Sequence, residues 1–149
     1  MRQPEFYGAV FGIIRDPTGK ILMVKRQNSG FRDGFYALPA GHLELGESPM
    51  HAMIRELSEE IGITVTPSDI RIIHICHSFS PQETTPEVRQ YFSFYYEVLS
   101  YTGTPYNAEP EKSESISWID WKTEEKIQFR EILENIENGE AYSELDFRP

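Results

Sequence analysis

The chain has 149 residues, of which 39% are hydrophobic and 13% aromatic, and carries a formal charge of −10. That size suits a single domain over 1–149 with one core, and the even spread of apolar residues excludes a disordered or membrane-embedded chain. The acidic balance opposes binding to duplex nucleic acid, so a phosphate-bearing partner would need a metal ion as a bridge. No apolar run approaches the ~18–20 residues of a membrane span, the start MRQPEFYGAVFGIIRD does not read as an export signal, and Cys76 is the lone cysteine. A cytoplasmic protein with no membrane partner is expected.

In chain order, Tyr7–Arg15 is rich in β-branched and aromatic residues, Asp16-Pro17-Thr18-Gly19 supplies a turn, and Ile21–Lys25 resumes the apolar pattern, which predicts a hairpin. Gln27–Tyr36 reads as a surface loop carrying aromatic side chains, followed by a short extended piece, Ala37–Gly41, and a second loop, His42–Glu47. Ser48-Pro49 predicts a helix start. Met53, Leu57 and Ile61 then recur at four-residue spacing, and Gly62 gives a stop, so a helix is expected over Pro49–Ile61. Strand-like runs follow at Ile70–His77, Val88–Leu99 and Ile116–Asp120, and a second amphipathic helix is expected over Lys126–Asn138. This order predicts a mixed sheet flanked by helices.

The first helix carries Arg55-Glu56-Leu57-Ser58-Glu59-Glu60. At about 100° per residue, Glu56, Glu59 and Glu60 project from one flank, where like charges repel by a few tenths of a kcal/mol per pair. A cation among them would remove that penalty, and hard ions such as Mg²⁺ favour oxygen ligands while keeping positions open for phosphate oxygens. Glu47 lies near the helix N-terminus, and Gly41, lacking a Cβ, allows close approach of a ligand. A glutamate-rich flank taken alone is more often a solvated face. The wider spacing decides otherwise.

Gly41, five residues, Glu47, seven residues, Arg55-Glu56-Leu57, one residue, Glu59-Glu60, one residue, Gly62-Ile63: this 41–63 segment matches every fixed position of the Nudix box. The chain therefore resembles the Nudix hydrolase family, most of all its nucleoside triphosphate pyrophosphatases. The resemblance implies an α/β fold, the αβα sandwich with a mixed β-sheet between helices. It implies Glu56, Glu59, Glu60 and the Ala40 carbonyl as ligands for Mg²⁺ or Mn²⁺. It further implies Arg55 as the residue orienting Glu56, and Gly41 and Glu47 as loop supports. Glu56, Arg55 and Glu59 form the implied catalytic set, while the general base is left open between Glu56 and a glutamate outside the box.

Outside the box, Asn107–Glu114 resembles the EPEK segment of those pyrophosphatases, although Ile116 stands where they commonly have tryptophan. Glu111 and Glu114 are candidates to reach the metal cluster, and Phe31, Arg32, Phe35 and Tyr36 to meet a base or phosphate. His74, Cys76 and His77 lie on one strand pattern with no matching second pair, which argues against zinc. Trp118 and Trp121 read as core or domain edge. The implied activity is metal-dependent hydrolysis of a nucleoside diphosphate linked to another moiety, foremost a nucleoside triphosphate, oxidised or not, giving monophosphate and pyrophosphate. Two alternatives stay open, an ADP-ribose or nucleotide-sugar diphosphatase and a nucleotide-sensing module without turnover. The expected partners are a small nucleotide and a second copy in a homodimer.

Overall fold

The computed structural model describes residues 1, 3–30, 32–81 and 87–148. Eight strands are present among them: β1 (Tyr7–Ile13), β2 (Ile21–Arg26), β3 (Tyr36–Ala37), β4 (Ala40–His42), β5 (Ile70–Pro81), β6 (Val88–Val98), β7 (Ser113–Ile119) and β8 (Tyr142–Asp146). The helices are α1 (Pro49–Ile61) and α2 (Arg130–Glu137). The strands form a five-stranded sheet in the order β4-β1-β6-β5-β8 and a three-stranded sheet in the order β3-β2-β7. The larger is mixed, since β1 runs parallel to β6 and β5 parallel to β8, while the other pairings are antiparallel.

Alternation along β1 divides the core. Val10 and Ile14 join Met53, Leu57 and Ile61 of α1 in one cluster, while Ile13, with Phe11 packed beside it, joins Ile132 and Leu133 of α2 in the other. The sheets thus lie between the two helices, in the αβα arrangement expected. Among the described residues, no helix is long and apolar enough to cross a membrane.

The expected hairpin at Asp16–Gly19 is overturned. The turn forms, with Asp16 Oδ1 accepting from the backbone of Thr18 (2.9 Å) and Lys20 (3.0 Å), and a bridge joins Arg15 to Ile21. Beyond it the strands part into different sheets. A strand has two ladder edges, and those of β1 are taken by β4 and β6, those of β2 by β3 and β7. The run Ile21–Val24 is buried at all four positions, as a strand between two cores must be.

Helix α2 begins later than its apolar periodicity suggests. Tyr36 donates its N–H to Lys126 O (2.8 Å) and accepts at its carbonyl from Gln128 N (2.9 Å), which holds 126–128 extended, and Phe129 then takes a left-handed φ of 55°. Long-range pairing overrides helical propensity there. Strand β8, not foreseen, is a short YSELD run whose alternation is too brief to register without its partner β5.

Candidate active site

Helix α1 starts where its cap residues place it: Ser48 Oγ accepts from His51 N (3.2 Å), and Pro49 occupies the first turn. It ends at Gly62, in the left-handed region with φ 70°, where a Cβ would stand 2.1 Å from the Tyr106 ring. Tyr106 N and Ala108 N then donate to the carbonyls of Ile61 (3.0 Å) and Glu60 (3.1 Å), tying the loop after β6 to the C-terminal end of α1.

These attachments bring Glu109 beside α1. Carboxylate oxygens of Glu56, Glu60 and Glu109 lie within 4.8 Å of one another. Gly41 of β4 faces the helix, and a Cβ there would be 2.1 Å from the Glu56 carboxyl carbon, so glycine lets the carboxylate lie where it does. Ala40 N donates to Glu60 Oε2 at 2.8 Å. Burial nevertheless pushes the Glu60 carboxyl up to about 8, with the Ala40 hydrogen bond opposing the shift and the charges of Glu56 and Glu109 adding to it. Glu56 is also raised, by burial first, against the pull of Arg55.

Arg55 binds the acids around the helix start. Its Nε and Nη2 form a bidentate pair with Glu47 (2.8 and 2.9 Å), Nη1 reaches Glu56 Oε1 (2.8 Å) and Glu59 Oε2 (3.2 Å), and Nη2 also donates to His42 O (3.1 Å). The Glu47 carboxyl is held down at about 2, chiefly by Arg55, and its Oε1 accepts from Glu44 N (3.0 Å), closing the loop before the helix. Arg55 occupies one oxygen of Glu56.

Of the residues named from sequence, the structure thus gathers Glu56 and Glu60, with Gly41, Arg55, Glu47 and Ala40 packed around them. Glu59 lies apart from the trio: its side chain is 56% exposed and pairs with Arg55. Glu114 pairs with Lys25 (3.5 Å), and Glu111 is exposed, its carbonyl receiving Asn28 Nδ2 (3.3 Å). Arg32 sits exposed with its guanidinium 5.5 Å from the centre of the Phe35 ring. Phe31 lies outside the described residues. Glu109, the first glutamate of the EPEK stretch, joins the cluster in place of Glu111 and Glu114, and the hydrogen bonds of Tyr106 and Ala108 to α1 are what distinguish it.

The donor set suits a hard divalent cation. It offers carboxylate oxygens, and buried like charges that a cation would compensate. On the other side of β4 from Glu56, a cluster of rings lines the sheet edge: His42 lies 5.6 Å from Tyr91 and 6.2 Å from Tyr7, and Arg89 lies 4.5 Å over Tyr7. Burial lowers the His42 pKa, with Arg89 adding to the effect. A surface cleft of about 930 Å³, lined by residues such as Arg15, Lys20, Trp121 and Ile136, shares no residue with the carboxylate cluster. Its size alone does not make it the site of chemistry.

Comparison with known proteins agrees with the geometry. Over 74 residues the chain is 35% identical to the 8-oxo-dGTP diphosphatase of Proteus vulgaris, covering 50% of this chain and 65% of that protein. Over 55 residues it is 47% identical to the ADP-ribose pyrophosphatase of Methanocaldococcus jannaschii, covering 37% of this chain and 31% of that one. It spans less than two thirds of the length of either relative. The crystal structure of the MutT NUDIX hydrolase from Burkholderia pseudomallei has the same fold, with a TM-score of 0.74 over 89% of this chain and 97% of that one at 19% identity. Residues 6–138 match the NUDIX domain family, and the chain belongs to it.

Proposed function

We propose that this protein hydrolyses the diphosphate linkage of a nucleoside triphosphate, releasing a nucleoside monophosphate and pyrophosphate. The observation that carries this reading is the meeting of Glu56, Glu60 and Glu109 against Gly41, with Arg55 fixing one oxygen of Glu56. A divalent cation held by these carboxylates, Mg²⁺ or Mn²⁺, would neutralise the diphosphate and lower the pKa of a bound water. The family resemblance implies the Ala40 carbonyl as a further ligand.

The chain's own groups have separate tasks. Arg55 spreads its charge over Glu47, Glu56 and Glu59, so it sets the direction of Glu56 without quenching the cluster. Glu56, oriented by Arg55 at one of its oxygens, accepts the proton of the attacking water. The water oxygen bonds to one phosphorus of the α–β linkage, the bridging P–O bond breaks, and pyrophosphate departs. Tyr7, His42 and Tyr91 offer ring faces for the nucleoside one residue along β4 from Gly41. The diphosphatase relative and the EPEK-like loop support the triphosphate, oxidised bases included.

The local 47% identity to an ADP-ribose pyrophosphatase favours a second reading, hydrolysis of ADP-ribose or a nucleotide sugar. A panel of nucleoside triphosphates, oxidised nucleotides, ADP-ribose and nucleotide sugars, assayed with Mg²⁺ and beside Glu56→Gln, separates them. Pyrophosphate release lost by about 10³-fold in the variant supports the triphosphate reading. Turnover of ADP-ribose alone would replace it with the second. A silent panel would leave a nucleotide-sensing module.

A further inference from the structure

Glu109 opens a tight turn. Its carbonyl accepts from Lys112 N and Ser113 N, both at 3.0 Å, and Asn107 Nδ2 donates to Ser113 O (2.7 Å), so the chain folds back between 107 and 113 to enter β7. Pro110, Glu111 and Lys112, which carry the chain away from Glu109, are all exposed, so burial of their side chains does not fix them. Their placement rests on hydrogen bonds.

Those bonds come from the residues that follow β2. Gln27 Nε2 donates to Pro110 O (2.7 Å), Asn28 Nδ2 to Glu111 O (3.3 Å) and Gln27 N to Lys112 O (3.0 Å). The three successive carbonyls after Glu109 are thus all held by Gln27 and Asn28. The bond from Gln27 N extends the pairing of Arg26 with Ser113 and would form with almost any residue, whereas the other two are made by side-chain amides and depend on residue identity. Gln27 makes the shorter of these, from a part-buried position, to the carbonyl of the residue next to Glu109.

The clamp is itself braced. Asn28 takes a left-handed φ of 53°, which asparagine tolerates better than most residues, and Asp33 accepts from Ser29 N (3.1 Å) and Gly30 N (3.2 Å) through its two carboxylate oxygens. Gly34 N then donates to Arg26 O (2.8 Å), returning the loop onto β2. A firm support therefore grips an exposed segment that carries a carboxylate of the cluster. Groups that orient a metal ligand from outside its coordination sphere commonly govern affinity by about 10- to 100-fold.

We propose that Gln27 is a positioning residue of the cation site, assisted by Asn28: the two amides hold 110–112 so that the Glu109 carboxylate stays within reach of Glu56 and Glu60. This rests on the functional reading above, which makes that trio the cation site.

The test measures Mn²⁺ affinity by calorimetry, without substrate, for wild type, Gln27→Met, Glu109→Gln and the double variant, with thermal unfolding followed for each. Methionine keeps the length of the side chain and removes its donor. Gln27→Met should weaken Mn²⁺ binding by about tenfold when Glu109 is present and by less than about twofold when it is already glutamine. No loss in the single variant overturns the proposal. So does a loss of equal size in both backgrounds, because Gln27 would then act by a route other than Glu109. If Gln27→Met does not fold, Asn28→Gly, which suits the left-handed turn and deletes only the amide, is taken through the same cycle and read by the same outcomes. Should Glu109→Gln alone leave Mn²⁺ affinity unchanged, the reading of the trio fails and takes this one with it, an outcome distinct from a Glu109-dependent site indifferent to Gln27.

Discussion

Glu56 and Glu60 meet across a single helical turn, whereas Glu109 reaches them only after β5, β6 and the loop that follows have been folded. The first pair is held by near neighbours: the helix caps at Ser48 and Gly62, the Arg55 clamp, and the adjoining strand at Gly41. The third acid depends on two backbone hydrogen bonds from 106 and 108 to the end of α1. The near half of the site is therefore rigid by construction, and the far half is as secure as its tether.

That difference can be probed from its strongest point. Gly41→Ala places a methyl group where the Glu56 carboxyl now lies, 2.1 Å from its carbon, so the carboxylate must move by an ångström or more. Displacement on that scale costs about 10²-fold in kcat/KM. Because the clash is with a side-chain end at a part-open site, the melting temperature should fall far less than the activity. A variant that stays fully active would show that Glu56 works from a different position.

Glu109→Gln tests the tether. Removing one charged oxygen ligand while keeping the shape should weaken Mg²⁺ or Mn²⁺ binding and activity by about 10- to 100-fold. Cation affinity measured by calorimetry, alongside kcat, distinguishes a ligand from a bystander. Affinity unchanged within a factor of two would remove Glu109 from the centre.

The same contrast governs what was readable in the sequence. The 41–63 segment was legible because its partners are close in the chain: helix bounds, caps and the acids on one flank follow from 3.6-residue periodicity. The parting of β1 and β2, the extended start before α2, and β8 were not legible. Each is decided by a ladder partner far away: β6 for β1, β7 for β2, Tyr36 for 126–128, and β5 for β8. Glu109 belongs with these. Three glutamates stand within 109–114, and nothing local says which of them faces α1.

Protonation offers a gentler probe. With Glu60 raised from its ordinary 4.5 to about 8, the folded state keeps a proton that the unfolded chain releases. Stability of the cation-free protein should therefore fall as pH rises from about 4.5 to about 8 and level off above. Glu47 acts in the opposite sense at lower pH: held at about 2, it stabilises above its ordinary 4.5, and that contribution is lost as pH drops toward 2. Melting curves in chelator and in Mg²⁺ should diverge with rising pH, because the cation compensates the ionised Glu60. Parallel curves across that range would mean that the cation binds elsewhere.

The smallest effect is expected at Glu59, which the family resemblance implies as a further ligand beside Glu56 and Glu60. Its side chain is 56% exposed and hydrogen-bonds Arg55 Nη1 at 3.2 Å, a contact that a glutamine oxygen can keep. An exposed ion pair of this kind contributes well under 1 kcal/mol, so Glu59→Gln should change kcat by less than about threefold and leave cation affinity alone. Glu60→Gln, one residue along, should be severe, since its carboxylate lies inside the cluster. If the two variants proved equally damaging, Glu59 would have to leave Arg55 and turn inward when cation and substrate bind. The near half of the site would then be assembled by its ligand, as the far half is assembled by the fold.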